Sequence, residues 1–215
     1  MVTVRVKICG ITRKEDVDAA VAAGADAVGF VVGTASSPRN ISLEKAEGLI
    51  KQVPAFVKTV LVTVPRSIDD LEVFEKLNPD LIQIHGEYIS DSSIREALPK
   101  TRVVRALKAD AFNAVEAACK ASEAFSAVLL DSSSRGMYGG TGIVHDWKLS
   151  MRVKQAIHPK PLILAGGLNP ENVAEAVRSV QPYAVDVSSG VEQRAGIKNR
   201  QKMVDFVKNA KEFET

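Results

Sequence analysis

The sequence predicts an α/β protein, a (β/α)8 barrel (TIM barrel) of eight parallel strands forming a single domain over residues 1–215. Three observations predict it. Short apolar, often β-branched runs alternate with helix-like stretches from one end of the chain to the other. The alternation occurs eight times at about 27 residues per unit, close to the tightest form of this barrel. Several of the runs are apolar almost throughout, as in a parallel sheet covered by helices. The competing architecture, an open doubly wound sheet, usually carries GxGxxG after its first strand, and none stands there.

The units follow in order. Residues 4–9 form a β-branched run before a helix over 14–23. Residues 27–32 precede a helix over 43–52, for which Ser42 suits the N-cap although Lys45 leaves the capping box incomplete. Residues 56–64 and 71–77 make the third pair, 81–85 and 92–98 the fourth. The fifth strand, 102–107, leads into the Ala-rich stretch 111–121. The sixth, 127–131, precedes a long loop and a helix over 146–157. The seventh, 161–165, precedes a helix over 171–180, where Asn169-Pro170 places a cap residue before a helix-starting proline. The eighth, 184–188, precedes the final helix, 200–211.

Composition narrows the function. With 215 residues and 46% hydrophobic content, the chain buries its core without metals or disulfides. A net charge of +2 with scattered Lys and Arg is not a nucleic-acid-binding signature, and no run of like charge is long enough to suggest a tail. Cys9 and Cys119 belong to no CxxC or metal-ligand cluster. The opening residues lack a signal-peptide pattern, and no apolar run reaches spanning length. The expectation is a cytoplasmic protein whose thiols stay reduced and which binds neither nucleic acid nor membrane.

In this fold, chemistry sits at the C-terminal ends of the strands. Strand seven ends in Gly166-Gly167, and strand eight runs into Ser188-Ser189-Gly190. Backbone N–H groups exposed by such residues bind phosphate at the place this fold usually binds it. The glycines also serve simply to turn the chain. Alternation puts Lys7 and Cys9 on the inner face of strand one and Asp131 on the inner top of strand six. A thiol and a carboxyl facing one pocket can move a proton between two substrate positions. Each also has a plain reading, Cys9 as a small buried hydrophobe and Asp131 as a loop cap. Arg39, behind the turn-forming Pro38, suits a substrate carboxylate or a solvated surface. His85 borders the pocket as a lining residue or a proton carrier, whereas His145 and His158 read as surface residues and Cys119 as packing. The loop 132–142, with Gly140 at its glycine-rich end, reads as a lid, a further phosphate contact or a surface loop. Lys7 is expected to pair with Asp186 inside the barrel, because strand eight closes on strand one and a lone buried charge is costly.

Ordered motifs then carry a resemblance. KICGIT (7–12), GADAVGFV (24–31), SPRNIS (37–42), QIHG (83–86) and LLD (129–131) are followed by GGTG with a later DW (139–147), GGLNPENV (166–173) and AVDVSSGVE (184–192). From first strand to last helix the chain resembles the phosphoribosylanthranilate isomerases of tryptophan biosynthesis. The resemblance implies a cofactor-free Amadori rearrangement of N-(5-phosphoribosyl)anthranilate. It implies Cys9 as general base, Asp131 as general acid and Arg39 on the anthranilate carboxylate. It departs from the family at Asn40, often aromatic or His, and at VLVTVP (60–65), commonly a GVF-like stretch. The rivals are another phosphosugar isomerase and a non-catalytic phosphosugar-binding barrel. A homodimer is compatible with all of these.

Overall fold

A computed structural model describes residues 4–109, 113–131 and 147–212. The helix over 111–121 and the helix over 146–157 therefore begin, as expected from sequence, partly outside the described residues. Gly140 and His145 lie outside them altogether.

Eight parallel strands close into a barrel among the described residues. They are β1 (Arg5–Ile8), β2 (Ala27–Val31), β3 (Lys58–Thr63), β4 (Leu81–Ile84), β5 (Val103–Lys108), β6 (Ala127–Asp131), β7 (Leu162–Ala165) and β8 (Ala184–Val187). The intervening helices are α1 (Lys14–Ala22), α2 (Leu43–Ile50), α3 (Ile68–Glu75), α4 (Asp91–Ala97), α5 (Ala114–Ala124), α6 (Trp147–Ile157), α7 (Val173–Val180) and α8 (Arg200–Lys211). Closure comes from β1 against β8, with Lys7 opposite Asp186. A 3-10 turn at Ser189–Val191 and an antiparallel hairpin, β9 (Glu192–Arg194) with β10 (Ile197–Lys198), follow β8 and lie outside the eight-unit rhythm.

Side-chain bonds at the helix starts explain two of the boundary differences. The helix expected from residue 71 starts at Ile68, because Ser67 and Asp70 form a reciprocal capping box. Ser42 Oγ accepts from the Lys45 N–H at 3.2 Å, as its position suggests. The helix expected from 171 starts at Val173, since Asn169 Oδ1 first holds the N–H groups of Glu171 and Asn172 in a turn.

Two packing layers set the site. Outward strand residues such as Val6, Ile8, Val28, Leu61 and Val185 join the helices in the main apolar core. Inward residues form smaller clusters, one of Cys9, Val31, Val60 and Val62, another of Val104, Ala106, Ala127, Leu129 and Ala165. Two aspartates staple the opposite end. Asp26 accepts from the Val6 N–H at 2.8 Å, and Asp80 from the Thr59 N–H at 2.9 Å, each tying the start of one strand to its neighbour.

Candidate active site

At the C-terminal ends of the strands, Cys9, Arg39, His85, Asp131, Asp186 and Ser188 line one cleft of about 80 Å3. A larger cavity, about 810 Å3, opens at the other end of the barrel. Size does not decide between them. Arg5 and Lys58 on the larger cavity are already paired with Asp26 and Asp80, and no thiol lies there beside a carboxyl.

Cys9 follows β1 and is held by its N–H, which donates to the Val187 carbonyl at 2.8 Å. Its side chain fits because β2 carries Gly29. A Cβ there would stand 3.0 Å from the Cys9 sulfur and 3.1 Å from Lys7 Cε. Beneath it Lys7 Nζ meets Asp186 Oδ1 at 2.8 Å, both groups buried, which is the pair expected from strand closure. Burial pushes the Cys9 thiol up. Lys7 and Lys198 pull it down, Asp186 works against them, and the net shift is upward. The charge of Lys7, two residues before Cys9, is paired with Asp186 and so offsets burial only in part.

Arg39 is not a solvated surface residue. It is 8% exposed. Its Nε and Nη2 donate to the two oxygens of Glu192 at 2.8 and 2.7 Å. Its stem crosses Gly10, where a Cβ would meet Arg39 Cδ at 2.5 Å and Ser188 Oγ at 2.9 Å. Gly10 also has a φ of +73°, so both space and backbone require glycine. Asn40, the departure beside Arg39, holds the loop by accepting from the Thr34 N–H at 2.9 Å.

The loops after β7 and β8 meet directly. Gly166 and Gly167 both adopt left-handed backbone, φ +85° and +64°. A Cβ on Gly190 would lie 2.0 Å from the Leu168 carbonyl oxygen, so this approach admits glycine alone. Ser189 and Gly190 begin a 3-10 turn, and the first N–H groups of such a turn have no acceptor inside it. Ser188 lies at the junction between these loops and the cleft.

His85 shares a 2.7 Å bond with Gln83. Burial first, then the charges of Lys7 and Arg105, lower its pKa to about 3. The ring is therefore neutral at physiological pH, which favours lining over proton carriage as an acid. His158 is exposed and Cys119 packs partly buried between α5 and α6, as expected. Among the described residues no group of three or more His, Cys, Asp or Glu side chains is arranged to hold a metal.

The family model for N-(5'-phosphoribosyl)anthranilate (PRA) isomerase matches residues 6–209, nearly the whole barrel. The chain belongs to the N-(5'-phosphoribosyl)anthranilate isomerase family. The N-(5'-phosphoribosyl)anthranilate isomerase of Pseudomonas fluorescens (strain Pf0-1) is 46% identical over 208 residues, covering 96% of this chain and 98% of that protein. The crystal structure of the Thermotoga maritima phosphoribosyl anthranilate isomerase superposes with a TM-score of 0.87 at 40% identity, covering 97% of this chain and 98% of that one. A phosphoribosyl anthranilate isomerase solved with reduced 1-(o-carboxyphenylamino)-1-deoxyribulose 5-phosphate gives a TM-score of 0.83 at 38% identity, with coverages of 97% and 98%.

Two charged residues of this family member escaped the sequence reading. Glu192 and Lys198 are buried beside Arg39 and Ser188. Glu192 stands inside the VSSGVE motif, yet a single glutamate after a turn reads as solvated. The missed signal was Arg39 itself, since a buried guanidinium needs an anionic partner.

Proposed function

We propose that the protein is an N-(5'-phosphoribosyl)anthranilate isomerase of tryptophan biosynthesis, an aldose–ketose isomerase working by general acid–base catalysis without a cofactor. The observation that carries this reading is the single cleft shared by a thiol, Cys9, and a carboxyl, Asp131, at the catalytic end of a barrel of this family. Asp131 protonates the ring oxygen of the aminofuranose, and the C1–O bond breaks to give a Schiff base. Cys9, as thiolate, removes the C2 proton to form an enolamine. Protonation at C1 and loss of the enol proton then give the 1-(2-carboxyphenylamino)-1-deoxy-D-ribulose 5-phosphate. The backbone at Gly166, Gly167, Ser189 and Gly190, with Ser188 beside them, holds the phosphate. That contact, far from C1 and C2, orients the reacting atoms. Arg39 takes the ring carboxylate, and His85 lines the wall. Gly140 completes the assignment from its place in the sequence.

The test is turnover by the purified protein, followed through the fluorescence of the anthranilate adduct. The expected result is loss of that fluorescence at a rate proportional to enzyme. Binding of the phosphosugar without turnover would instead make the chain a non-catalytic barrel.

The same reading makes residues 1–215 one catalytic unit, located in the cytoplasm. Among the described residues no helix is long and apolar enough to cross a membrane. A homodimer is the assembly favoured by Phe56, which is 99% exposed on the rim of the 810 Å3 cavity. An exposed aromatic beside an open cavity suits reciprocal insertion between two copies, and a Thermotoga maritima relative is described as dimeric. Sedimentation should give a dimer that Phe56→Glu dissociates; a monomeric parent would end the idea.

A further inference from the structure

The cleft is bordered by more charge than the proposed reaction uses. Lys198, from β10, has its side chain withdrawn completely from solvent. Its ammonium donates to Glu192 Oε1 at 2.9 Å, to the Ser188 carbonyl at 3.1 Å and to Ser188 Oγ at 3.4 Å. The Gly196 N–H reaches the same Glu192 oxygen at 3.3 Å. The other side of the carboxylate is the fork from Arg39. Two cations therefore share one anion, and one positive charge is left over beside the cleft. A buried excess charge is costly until a ligand supplies the counter-charge.

The geometry of the guanidinium says where that ligand group goes. Glu192 occupies the Nε–Nη2 edge. The second edge, Nη1–Nη2, also presents two parallel donors. Among the described residues Nη1 has no hydrogen-bond partner, and Arg39 lines the cleft. With one edge clamped, the long side chain is already ordered, so its rotamer entropy is not lost again on binding. Lys198 in turn fixes Glu192 to Ser188, and its own N–H is tied to Asp16 at 3.1 Å. The arginine side of the cleft and the β8 loop thus share one ammonium.

We propose that Glu192 and Lys198 are positioning residues that set the carboxylate specificity of the site: Glu192 clamps one edge of Arg39 so that the other faces the ligand, and Lys198 locks Glu192 to the β8 loop. The proposal rests on the reading of Arg39 as the carboxylate-binding residue. A purely electrostatic role for Glu192 has the opposite sign. Removing a negative charge beside an anion site should then strengthen binding of every anionic ligand.

The experiment compares two probes by titration calorimetry: the reduced product analogue, and its counterpart lacking the ring carboxylate. The parent should prefer the carboxylated probe by about 10- to 100-fold, the range for a charge-assisted pair of hydrogen bonds. Glu192→Gln places an amide N–H against one Arg39 donor and breaks the fork. Glu192→Asp keeps the charge but withdraws the carboxylate by one methylene. Both should reduce the preference to about threefold or less, with affinity for the carboxylate-free probe nearly unchanged. In turnover, Lys198→Met should raise KM with kcat nearly held, and should weaken inhibition by inorganic phosphate because Ser188 loses its anchor. A preference retained in Glu192→Asp or Glu192→Gln overturns the role of Glu192, and unchanged KM and phosphate inhibition in Lys198→Met overturns that of Lys198. A parent with no preference overturns the reading of Arg39 itself, and the proposal with it.

Discussion

The Cys9 sulfur lies close to two ammonium groups, yet burial wins and its thiol is raised above the ordinary value. Removal from water is the largest influence, and Asp186, bonded to Lys7, adds to it against the two ammonium groups. A raised thiol holds its proton at neutral pH and loses it only as pH climbs. Alkylation of Cys9, in a Cys119→Ser background, should therefore keep accelerating past about pH 8.5, the ordinary thiol value. The rising limb of kcat/KM should follow it, because that ratio reports groups of the free enzyme and Cys9 acts deprotonated. A plateau already at about pH 7 would mean that the two lysines outweigh burial. Asp131→Asn should lower kcat by about 10²- to 10⁴-fold, since an amide cannot deliver the proton that opens the ring. A change in KM alone would make Asp131 a binding residue.

At the scale of the elements, two glycines separate space from propensity. Gly29 sits in β2 with ordinary backbone, and what it supplies is room for Cys9 and Lys7. Lys7 cannot easily swing away, because Asp186 holds its ammonium. Gly29→Ala should cost about 1–3 kcal/mol of stability, as overpacking does, and lower kcat by moving the sulfur. Gly48, on the exposed side of α2, meets nothing within 4 Å when a Cβ is added. Gly48→Ala should stabilise the protein by about 0.5–1 kcal/mol, through helix propensity alone, with kcat unchanged. Urea titrations of both variants, read beside kcat, check the pair. Equal effects in the two would show that the close approach at Gly29 is easily relieved. The β9–β10 hairpin belongs to this scale too. Its strands are three and two residues long, too short for a periodic pattern to betray them. The start of α3 was missed for a different reason. Asp69 and Asp70 suggest a loop, and the capping role of Asp70 emerges only with its bond to Ser67.

At the scale of the molecule, acid should open the barrel from the end opposite the cleft. Burial alone would raise the carboxyl of Asp26. Its bonds with Lys211, the Val6 N–H and Arg5 outweigh burial and hold it below the ordinary range. Asp80 is lowered in the same way by Lys58 and Thr59, again against burial. A carboxyl depressed in the folded state binds fewer protons there than in the unfolded chain. Its contribution is present above the unfolded value of about 3.9 and is lost as pH falls through the folded one. Stability should thus fall steeply below about pH 4, and Asp26→Asn should flatten that slope while lowering stability at pH 7. An unchanged acid slope in the variant would show that Asp26 titrates alike in both states.

By itself the sequence determined the number and order of the βα units, the parallel barrel, the inward direction of Lys7 and Cys9, and the family. These properties are local or periodic: β-branched runs, alternation in a strand and short motifs at strand ends are written within a few residues. The pairing of Lys7 with Asp186 was also legible, because barrel closure forces the first and last strands together. Only the tertiary structure decided that Arg39 is buried and clamped by Glu192, that Gly29 makes room for the sulfur, and that burial raises the Cys9 thiol. Each depends on groups distant in sequence, 153 residues apart for Arg39 and Glu192. Desolvation and charge pairing act through space, and no local pattern records which charges will share a buried site.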